Sequence, residues 1–160
     1  MTEVAQTGII IVGLGPGRWE DLTVEAQAIL DAAPAVIVRT ERHPTVDTLH
    51  TRRPELALSS FDALYESADS FADLYPLMAR RALDQAETLP AGQSLVYAVP
   101  GHPLIGEESV RHLRTLATDR GVAVRIVAGL SFVEPVCAAL GLDPLQRDLQ
   151  LLDATLLADV

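Results

Sequence analysis

The first predicted strand is a continuous apolar run that ends directly in a glycine-rich turn. Gly8–Val12 reads GIIIV, and Gly13–Gly17 follows as GLGPG. An apolar run without alternating polar residues is typical of a central parallel strand that is covered on both faces. In open α/β sheets, ligands bind at the carboxyl ends of such strands. We therefore expect an α/β fold with a binding site at the edge that this turn occupies.

Strand-like and helix-like segments alternate along the rest of the chain. The predicted strands cover residues 8–12, 35–38, 56–58, 94–99 and 122–127, and the predicted helices cover 23–33, 46–50, 69–87, 105–120 and 131–140. This alternation is typical of a mostly parallel, doubly wound sheet flanked by helices. The apolar stretch 149–154 is expected either to add an edge strand or to act as a linker.

Two details of the helices are predicted from their spacing. On the helix 69–87, the inward face is expected to consist of Phe71, Leu74, Met78 and Ala82. Pro76 is expected to shift or kink the start of that helix.

Composition excludes several classes of function. The chain has 160 residues, of which 49% are hydrophobic, as suits one compact domain. Its 12 basic and 22 acidic residues give a net charge of −10, which argues against nucleic acid and anionic membranes as partners. Cys137 is the only cysteine and is expected to be a buried structural thiol. With no signal peptide or membrane span evident, the expected location is the cytoplasm.

The first glycine turn departs from the dinucleotide-binding fingerprint. The pattern is G-x-G-x-G, and Arg18 stands where the third glycine of G-x-G-x-x-G belongs. No acidic residue ends the second predicted strand, since Val38 is followed by Arg39. An NAD site is therefore disfavoured. Two interpretations stay open, namely a tight turn without a ligand and a cradle of backbone N–H groups for an anion or another ligand.

Two further turns follow predicted strands. In Pro100–Pro103 two prolines fix the backbone and remove donors, which suits either a stiff loop or the recognition of a ligand's donor groups. In Ala128–Phe132, Ser131 is expected either to cap the next helix or to offer its hydroxyl to a ligand.

Taken together, the three turns resemble one family. The ordered motifs GLGPG-x4-LT (13–23), YAVPGHPLIGEESV (97–110) and VAGLSFVEPVCAALGLDP (127–144) resemble the tetrapyrrole methylases, the class III S-adenosylmethionine-dependent methyltransferases. The most similar branch is the one in which a methylase-like domain precedes a MazG-type nucleoside triphosphate pyrophosphohydrolase. Arg42–Pro44 and a set of aromatic residues also fit that branch. These aromatic residues are Phe61, Tyr65, Phe71 and Tyr75.

The resemblance implies a cofactor and a site. S-adenosylmethionine would bind in a cleft between two α/β subdomains, and its methyl group would pass to a tetrapyrrole-like or unknown small acceptor. The implied cofactor-binding residues are Gly101, His102, Pro103, Leu104, Ile105, Gly106, Gly129, Leu130, Ser131 and Phe132. The implied acceptor-side residues are Gly13, Gly15, Pro16, Gly17 and Arg18. The protein would supply proximity and orientation and the positive sulfur the driving force, so no catalytic base is assigned.

The resemblance also implies a domain organisation. Residues 1–145 would form the amino-terminal methylase-like subdomain, and 146–160 a linker or edge strand leading to an absent second subdomain. A homodimer is expected to cover the apolar tail and one sheet edge. A pyrophosphohydrolase domain is expected only in a longer chain.

One departure from the family supports a second hypothesis. The usual G-D-P motif is G-H-P here, so His102 replaces a carboxylate. The alternative is therefore a non-catalytic module that binds a ligand or scaffolds a pyrophosphohydrolase. No metal site is predicted, because Glu87, Glu107 and Glu108 do not form a Mg²⁺-binding set on one helix.

The other polar residues have simpler interpretations. His43 and His50 are expected in a solvated loop rather than as a metal pair, and Glu107 and Glu108 as charges that favour a helix start. Trp19 is either a stacking lid or a packing contact. Four arginines form a basic group that is either scattered or, if it shares a face, able to hold carboxylates. These arginines are Arg39, Arg42, Arg52 and Arg53.

Overall fold

Five parallel strands form one sheet in the order β3-β2-β4-β1-β5. The computed structural model describes residues 8–153. The strands are β1 (Gly8–Gly13), β2 (Ala35–Val38), β3 (Ala57–Ser60), β4 (Ser94–Val99) and β5 (Ala123–Val127). All described pairings between these strands are parallel, which confirms the predicted α/β fold class.

Helices follow the strands along the described chain. They are α1 (Val24–Ala32), α2 (Pro44–Arg52), α3 (Asp62–Ser67), α4 (Phe71–Glu87), α5 (Glu108–Asp119) and α6 (Val133–Leu140), with a short 3-10 helix at Trp19–Asp21. The sequence did not predict α3. The prediction for α2, residues 46–50, was too short. The helix already begins at Pro44, since the fixed φ of proline suits the first turn and its missing N–H costs nothing there.

Alternate residues of the central strands enter two separate hydrophobic cores. Ile11 of β1 and Tyr97 of β4 contribute to the core that packs against α4 and α5, whereas Val12 and Ala98 contribute to the core against α1 and α2. All four side chains are fully buried. Helices on both faces therefore explain why β1 has no polar face.

The inward face of α4 is partly as predicted. Leu74, Met78 and Ala82 are buried, but Phe71 is 67% exposed, so its predicted inward position is wrong. Phe71 is the first residue of the helix and stacks on Tyr75 with 6.1 Å between ring centroids instead of reaching the sheet. The helix continues through Pro76.

Side chains from other segments stabilise both ends of α1. Thr23 accepts a hydrogen bond from the N–H of Ala26 at 3.1 Å, as an N-cap residue should. Arg53, which follows α2, donates to the carbonyls of Leu30 at 3.0 Å and Ala33 at 2.8 Å. Because these carbonyls have no partner within the helix, Arg53 joins the end of α2 to the end of α1.

The last described segment is exposed. Residues 149–153 form no strand, and Leu151 is 54% exposed, while the rest of the predicted stretch, Ala154, lies outside the described residues. Helix α6 has no buried residue, and Cys137 on it is half-buried rather than enclosed as predicted. No helix within residues 8–153 has both the length and the apolar character that crossing a membrane requires.

The core between α4, α5 and the sheet should respond strongly to truncation. Leu113→Ala removes a fully buried side chain, and we expect it to lower the free energy of unfolding by about 2–5 kcal/mol. Val24→Ala is the control, because Val24 is 85% exposed, and we expect a change below about 0.5 kcal/mol. Urea denaturation measures both, and equal stability of the two variants would contradict this description of the core.

Candidate functional site

Three loops meet at the carboxyl edge of the sheet. The loop after β1 and the loop after β4 form an antiparallel bridge, in which Gly15 N–H donates to Gly101 O at 3.2 Å and Gly101 N–H donates to Gly15 O at 2.9 Å. The loop after β5 reaches the same place through Gly129. The three turns predicted from the sequence are therefore in contact with one another at one edge of the sheet.

Glycine is required where these loops touch. A Cβ on Gly13 would lie 2.6 Å from the carbonyl oxygen of Gly101 and 2.7 Å from the nitrogen of Gly129. A Cβ on Gly129 would collide with the same carbonyl oxygen and lie 2.9 Å from Cα of Gly13. These obstacles are backbone atoms, so no side-chain rotation relieves them. We call this contact of Gly13, Gly101 and Gly129 the glycine junction.

The start of α2 holds the first loop from its other side, through the N-cap residue His43 and through Thr45 in the first turn. His43 Nε2 donates to Gly15 O at 3.1 Å, and Thr45 Oγ1 lies 3.2 Å from Leu14 O and 3.0 Å from Gly17 O. His43 is only 8% exposed, so its predicted position in a solvated loop is wrong. Burial lowers the pKa of His43, which keeps the ring neutral at neutral pH.

A cavity of about 300 Å³ opens beside the bridged loops. Eight of the predicted site residues line it: Gly15, Pro16, Gly101, His102, Ile105, Gly106, Ser131 and Phe132. Four residues line it that the site prediction omitted: Arg39, His43, Pro100 and Glu107. Arg39 directly follows β2, and β2 lies beside β4 in the sheet. The sequence could have predicted that Arg39 lines the cavity only if this strand order had been known.

The other predicted site residues lie away from this cavity. Gly13 and Gly129 are within the glycine junction, and Gly17 lies farther along the loop. Arg18 points to Asp21, with 2.6 Å between Nη2 and Oδ1. The remaining ones are Pro103 and Leu104, which line a neighbouring depression, and Leu130, which is partly exposed.

His102 shapes its own loop. Its Nδ1 accepts a hydrogen bond from the N–H of Leu104 at 3.0 Å. An Asp at this position would make the same bond to the backbone two residues on. Because Nδ1 acts as the acceptor, the proton of the neutral ring is on Nε2. The histidine therefore replaces the carboxylate in shaping the turn, but it presents a donor where a carboxylate would present an acceptor.

Ser131 uses its hydroxyl within its own loop. Its Oγ donates to Glu134 Oε2 at 2.6 Å and accepts from the N–H of Val133 at 3.0 Å. The N–H of Ser131 also donates to Glu134, at 2.8 Å. The hydrogen bond from the Ser131 hydroxyl is the main cause that lowers the pKa of Glu134. Ser131 thus helps to begin α6, although the helix starts two residues later than predicted.

A buried ion pair forms one wall of the cavity. Arg39 Nε lies 3.1 Å from Glu107 Oε2, and the two side chains are 20% and 6% exposed. Arg39 Nη1 donates to the hydroxyl of Tyr65 at 2.8 Å. Glu107 Oε1 accepts from Ser109, whose hydroxyl is 2.8 Å from that of Tyr97. Glu107 is the N-cap residue of α5 and so lies at a helix start, as predicted, but it is also buried in this network, which the sequence did not indicate.

Burial controls the protonation of this wall. It raises the pKa of Glu107, while the positive charge of Arg39 opposes that shift. Burial also raises the pKa of Tyr97, which stays a neutral phenol.

The other arginines do not share the face of Arg39. Arg52 lies over the ring of Trp19 at 4.6 Å from its centroid, and Arg53 binds the end of α1. Arg42 lines a separate depression with Asp62. Trp19 itself packs against the core of α1 and α2, so it is a packing contact. Within residues 8–153, no group of three or more His, Cys, Asp or Glu side chains is gathered as a metal ion would need.

Comparison with known proteins identifies the family. Residues 8–154 match the family described as Tetrapyrrole (Corrin/Porphyrin) Methylases, and the chain belongs to that family. A curated relative, the uncharacterized protein YabN of Bacillus subtilis, is 34% identical over 152 residues, which are 94% of this chain and 30% of YabN.

Solved structures share the fold. A diphthine synthase has a TM-score of 0.63 at 21% identity, over 84% of this chain and 49% of its own. A uroporphyrin-III C-methyltransferase from Thermus thermophilus, complexed with S-adenosylhomocysteine, has a TM-score of 0.56 at 22% identity, over 85% and 52%. This chain therefore spans 30% of the curated relative and about half of these structures.

The glycine junction should not tolerate a methyl group. Gly129→Ala places a Cβ against backbone atoms of two loops, and we expect it to lower the free energy of unfolding by more than about 2 kcal/mol. Gly121→Ala is the control, because its Cβ meets nothing within 4 Å and only its positive φ costs energy, about 1 kcal/mol. Equal losses in urea denaturation would argue against a tight junction.

Glu107 should impose a characteristic pH dependence on stability. Because its pKa is raised in the folded state, its contribution is present below the ordinary value of 4.5 and is lost as pH rises through the folded pKa. We therefore expect the free energy of unfolding of the wild type, minus that of Glu107→Gln, to fall with rising pH.

Glu55 provides the control with the opposite sign. Its hydrogen bond from Arg53 lowers its pKa, so the corresponding difference for Glu55→Gln should rise with pH. Urea titrations from about pH 4 to about pH 8 measure both differences. A Glu107 difference that stays flat or rises would contradict the burial described for this group.

Proposed function

We propose that the chain is the amino-terminal part of an S-adenosylmethionine-dependent methyltransferase that acts on a small acceptor. The observation that carries this proposal is that the loops after β4 and β5, which contain two of the three family motifs, line one and the same cavity. Membership of the tetrapyrrole methylases and the S-adenosylhomocysteine in the Thermus thermophilus structure support it.

The backbone of the second motif suits a bound cofactor. Gly106 has nothing within 4 Å of where a Cβ would be, and at Gly101 the nearest atom is 4.0 Å away. Both residues line the cavity, so a ligand can approach their backbone closely. The proposed cofactor-binding residues are Gly101–Gly106 and Gly129–Phe132, and the proposed acceptor side is the Gly13–Arg18 loop.

The chemistry needs position more than acid–base groups. S-adenosylmethionine, when bound, supplies an electrophilic methyl group on a positive sulfur. The chain's own part is to hold that methyl in line with the acceptor atom, and the bridged loops provide a fixed frame for this. Tyr97 and Glu107 are engaged in the buried network, so we assign neither of them as a catalytic base.

A second candidate function rests on His102. An imidazole ring stands where the family commonly has a carboxylate, and such a change suits a site that binds a ligand without transferring a methyl group. In this reading the chain is a module that regulates or scaffolds a MazG-type pyrophosphohydrolase. That association and a homodimeric state remain part of the proposal.

Calorimetric titration with S-adenosylhomocysteine tests the proposed function. We expect the chain to bind it saturably. Gly106→Val should bind at least about tenfold more weakly, because its side chain would occupy the open space above the backbone. Gly121→Val is the matched control, since it places valine at a similar positive φ at the opposite end of α5. Circular dichroism of both variants monitors folding.

The outcomes separate the two functions. Binding by the wild type, followed by methyl transfer to a trial acceptor, supports the methyltransferase. Binding without transfer to any trial acceptor, both by this chain and by full-length YabN, favours the non-catalytic module. Absence of binding by both proteins contradicts a cofactor site. Binding by YabN alone would mean that the site needs the part of YabN that this chain does not span.

A further inference from the structure

We infer that Arg39 and His102 form a subsite for an anionic group, a carboxylate or a phosphate, within the cavity. This inference deepens the proposed function, because it names the chemistry of a ligand that the same cavity receives. It follows from the hydrogen-bonding capacity that the structure leaves unused on the cavity wall.

Arg39 keeps one donor group free. Nη1 is bound to Tyr65, and Nε is enclosed beside Glu107 without a hydrogen bond. Nη2 has no hydrogen-bond partner among residues 8–153 and is not among the enclosed atoms, so it retains accessible surface. Since Arg39 lines the cavity, these N–H groups are available to a ligand there.

His102 adds a second donor to the same cavity. The Leu104 N–H occupies Nδ1, which fixes the proton of the neutral ring on Nε2. No described residue accepts a hydrogen bond from Nε2, and the ring lines the cavity together with Arg39. A carboxylate at this position would repel an anion, whereas the histidine donates to it.

The acidic groups nearby are already engaged. Both oxygens of Glu107 have partners, in Ser109 and Arg39. Glu134 does not line the cavity, and its Oε2 accepts two hydrogen bonds from Ser131. His43 Nδ1 is an acceptor without a partner, but it is enclosed, so a ligand in the cavity does not reach it. The two accessible groups are therefore both donors, and the complement of two donors is an oxygen-rich anion. Because the net charge around the cavity is not positive, recognition rests on directed hydrogen bonds, and a small anion should bind only in the millimolar range.

Glu107 and Tyr65 act as positioning residues for this subsite. Glu107 holds the guanidinium at Nε and Tyr65 holds it at Nη1. The orientation of Nη2 is therefore already fixed before a ligand binds. A lysine has no such fork and would lose this orientation.

Titration with inorganic phosphate tests the subsite directly. Phosphate is added to the 160-residue chain at constant ionic strength, and the ¹⁵N signals of the arginine guanidinium groups and the histidine rings are followed by NMR. We expect saturable shifts of the Arg39 and His102 signals. Shifts that grow without saturation, or that avoid both residues, would overturn the inference.

Variants establish which residues are responsible. His102→Asp keeps the acceptor for the Leu104 N–H but replaces the donor with a negative charge. The paired change Arg39→Met with Glu107→Met removes the guanidinium without leaving a buried charge unpaired. We expect each to weaken phosphate binding by at least about tenfold. Arg81→Met is the control, because Arg81 is exposed on α4, and it should bind as the wild type does.

Wild-type affinity in His102→Asp would overturn the inference even if the paired variant fails to fold. Arg39→Lys adds a check on the fork, since it keeps the charge and should bind more weakly than the wild type.

Two further titrations identify the source of the anion. S-adenosylhomocysteine carries an amino-acid carboxylate, and 5′-methylthioadenosine does not. If the paired variant loses affinity only for the former, the subsite holds the cofactor's carboxylate. If phosphate still binds in saturating S-adenosylhomocysteine, the subsite belongs to the acceptor. Phosphate binding by this chain, without any binding of S-adenosylhomocysteine by this chain or by full-length YabN, would keep the subsite and contradict the proposed methyltransferase.

Discussion

The close approach of three backbones at the glycine junction is the constraint on which the rest of the site depends. Gly13, Gly101 and Gly129 end or follow three strands that are neighbours in the sheet. Neither Gly13 nor Gly129 leaves room for a Cβ, and the carbonyl oxygen of Gly101 is among the atoms that a Cβ on either would meet. Because the contacts are between backbone atoms, no side-chain rotation can accommodate a change in the relative positions of the loops. The cavity beside them inherits its shape from this contact.

The cavity combines that rigid backbone with a charged wall. The Arg39–Glu107 pair is enclosed between β2, β4 and the start of α5, where each charge relies on the other and on neighbouring hydroxyl groups. Removing one partner of such a pair costs much more than the pair contributes, because the remaining charge stays in a poor solvent. Arg39 and Glu107 can therefore be replaced only together without a large loss of stability. The ion pair of Arg18 with Asp21 is different, because Arg18 is exposed.

The sequence predicts the sheet better than the site. Continuous apolar runs such as Gly8–Val12 identify buried parallel strands because local pattern and burial agree there. His43 was misplaced and the burial of Glu107 was missed, because their surroundings come from other segments, which spacing along the chain does not show. Phe71 fits the helical period but is the first residue of its helix, where it stacks on Tyr75 and stays exposed instead of entering the core. The glycine turns were located from sequence, whereas their mutual contact depends on the strand order.

The hydrogen bonds from His43 and Thr45 to the first loop show that the GLGPG motif depends on a second, separate segment of the chain. Its carbonyls are oriented by side chains about thirty positions later in the chain, across the whole of α1 and β2. Grafting the five-residue turn onto another α/β scaffold therefore transfers the loop without the side chains that orient its carbonyls. The transferable unit is the complete β1–α1–β2–α2 segment, and a sequence search with both halves, joined at this distance, should discriminate better than a search with the glycines alone.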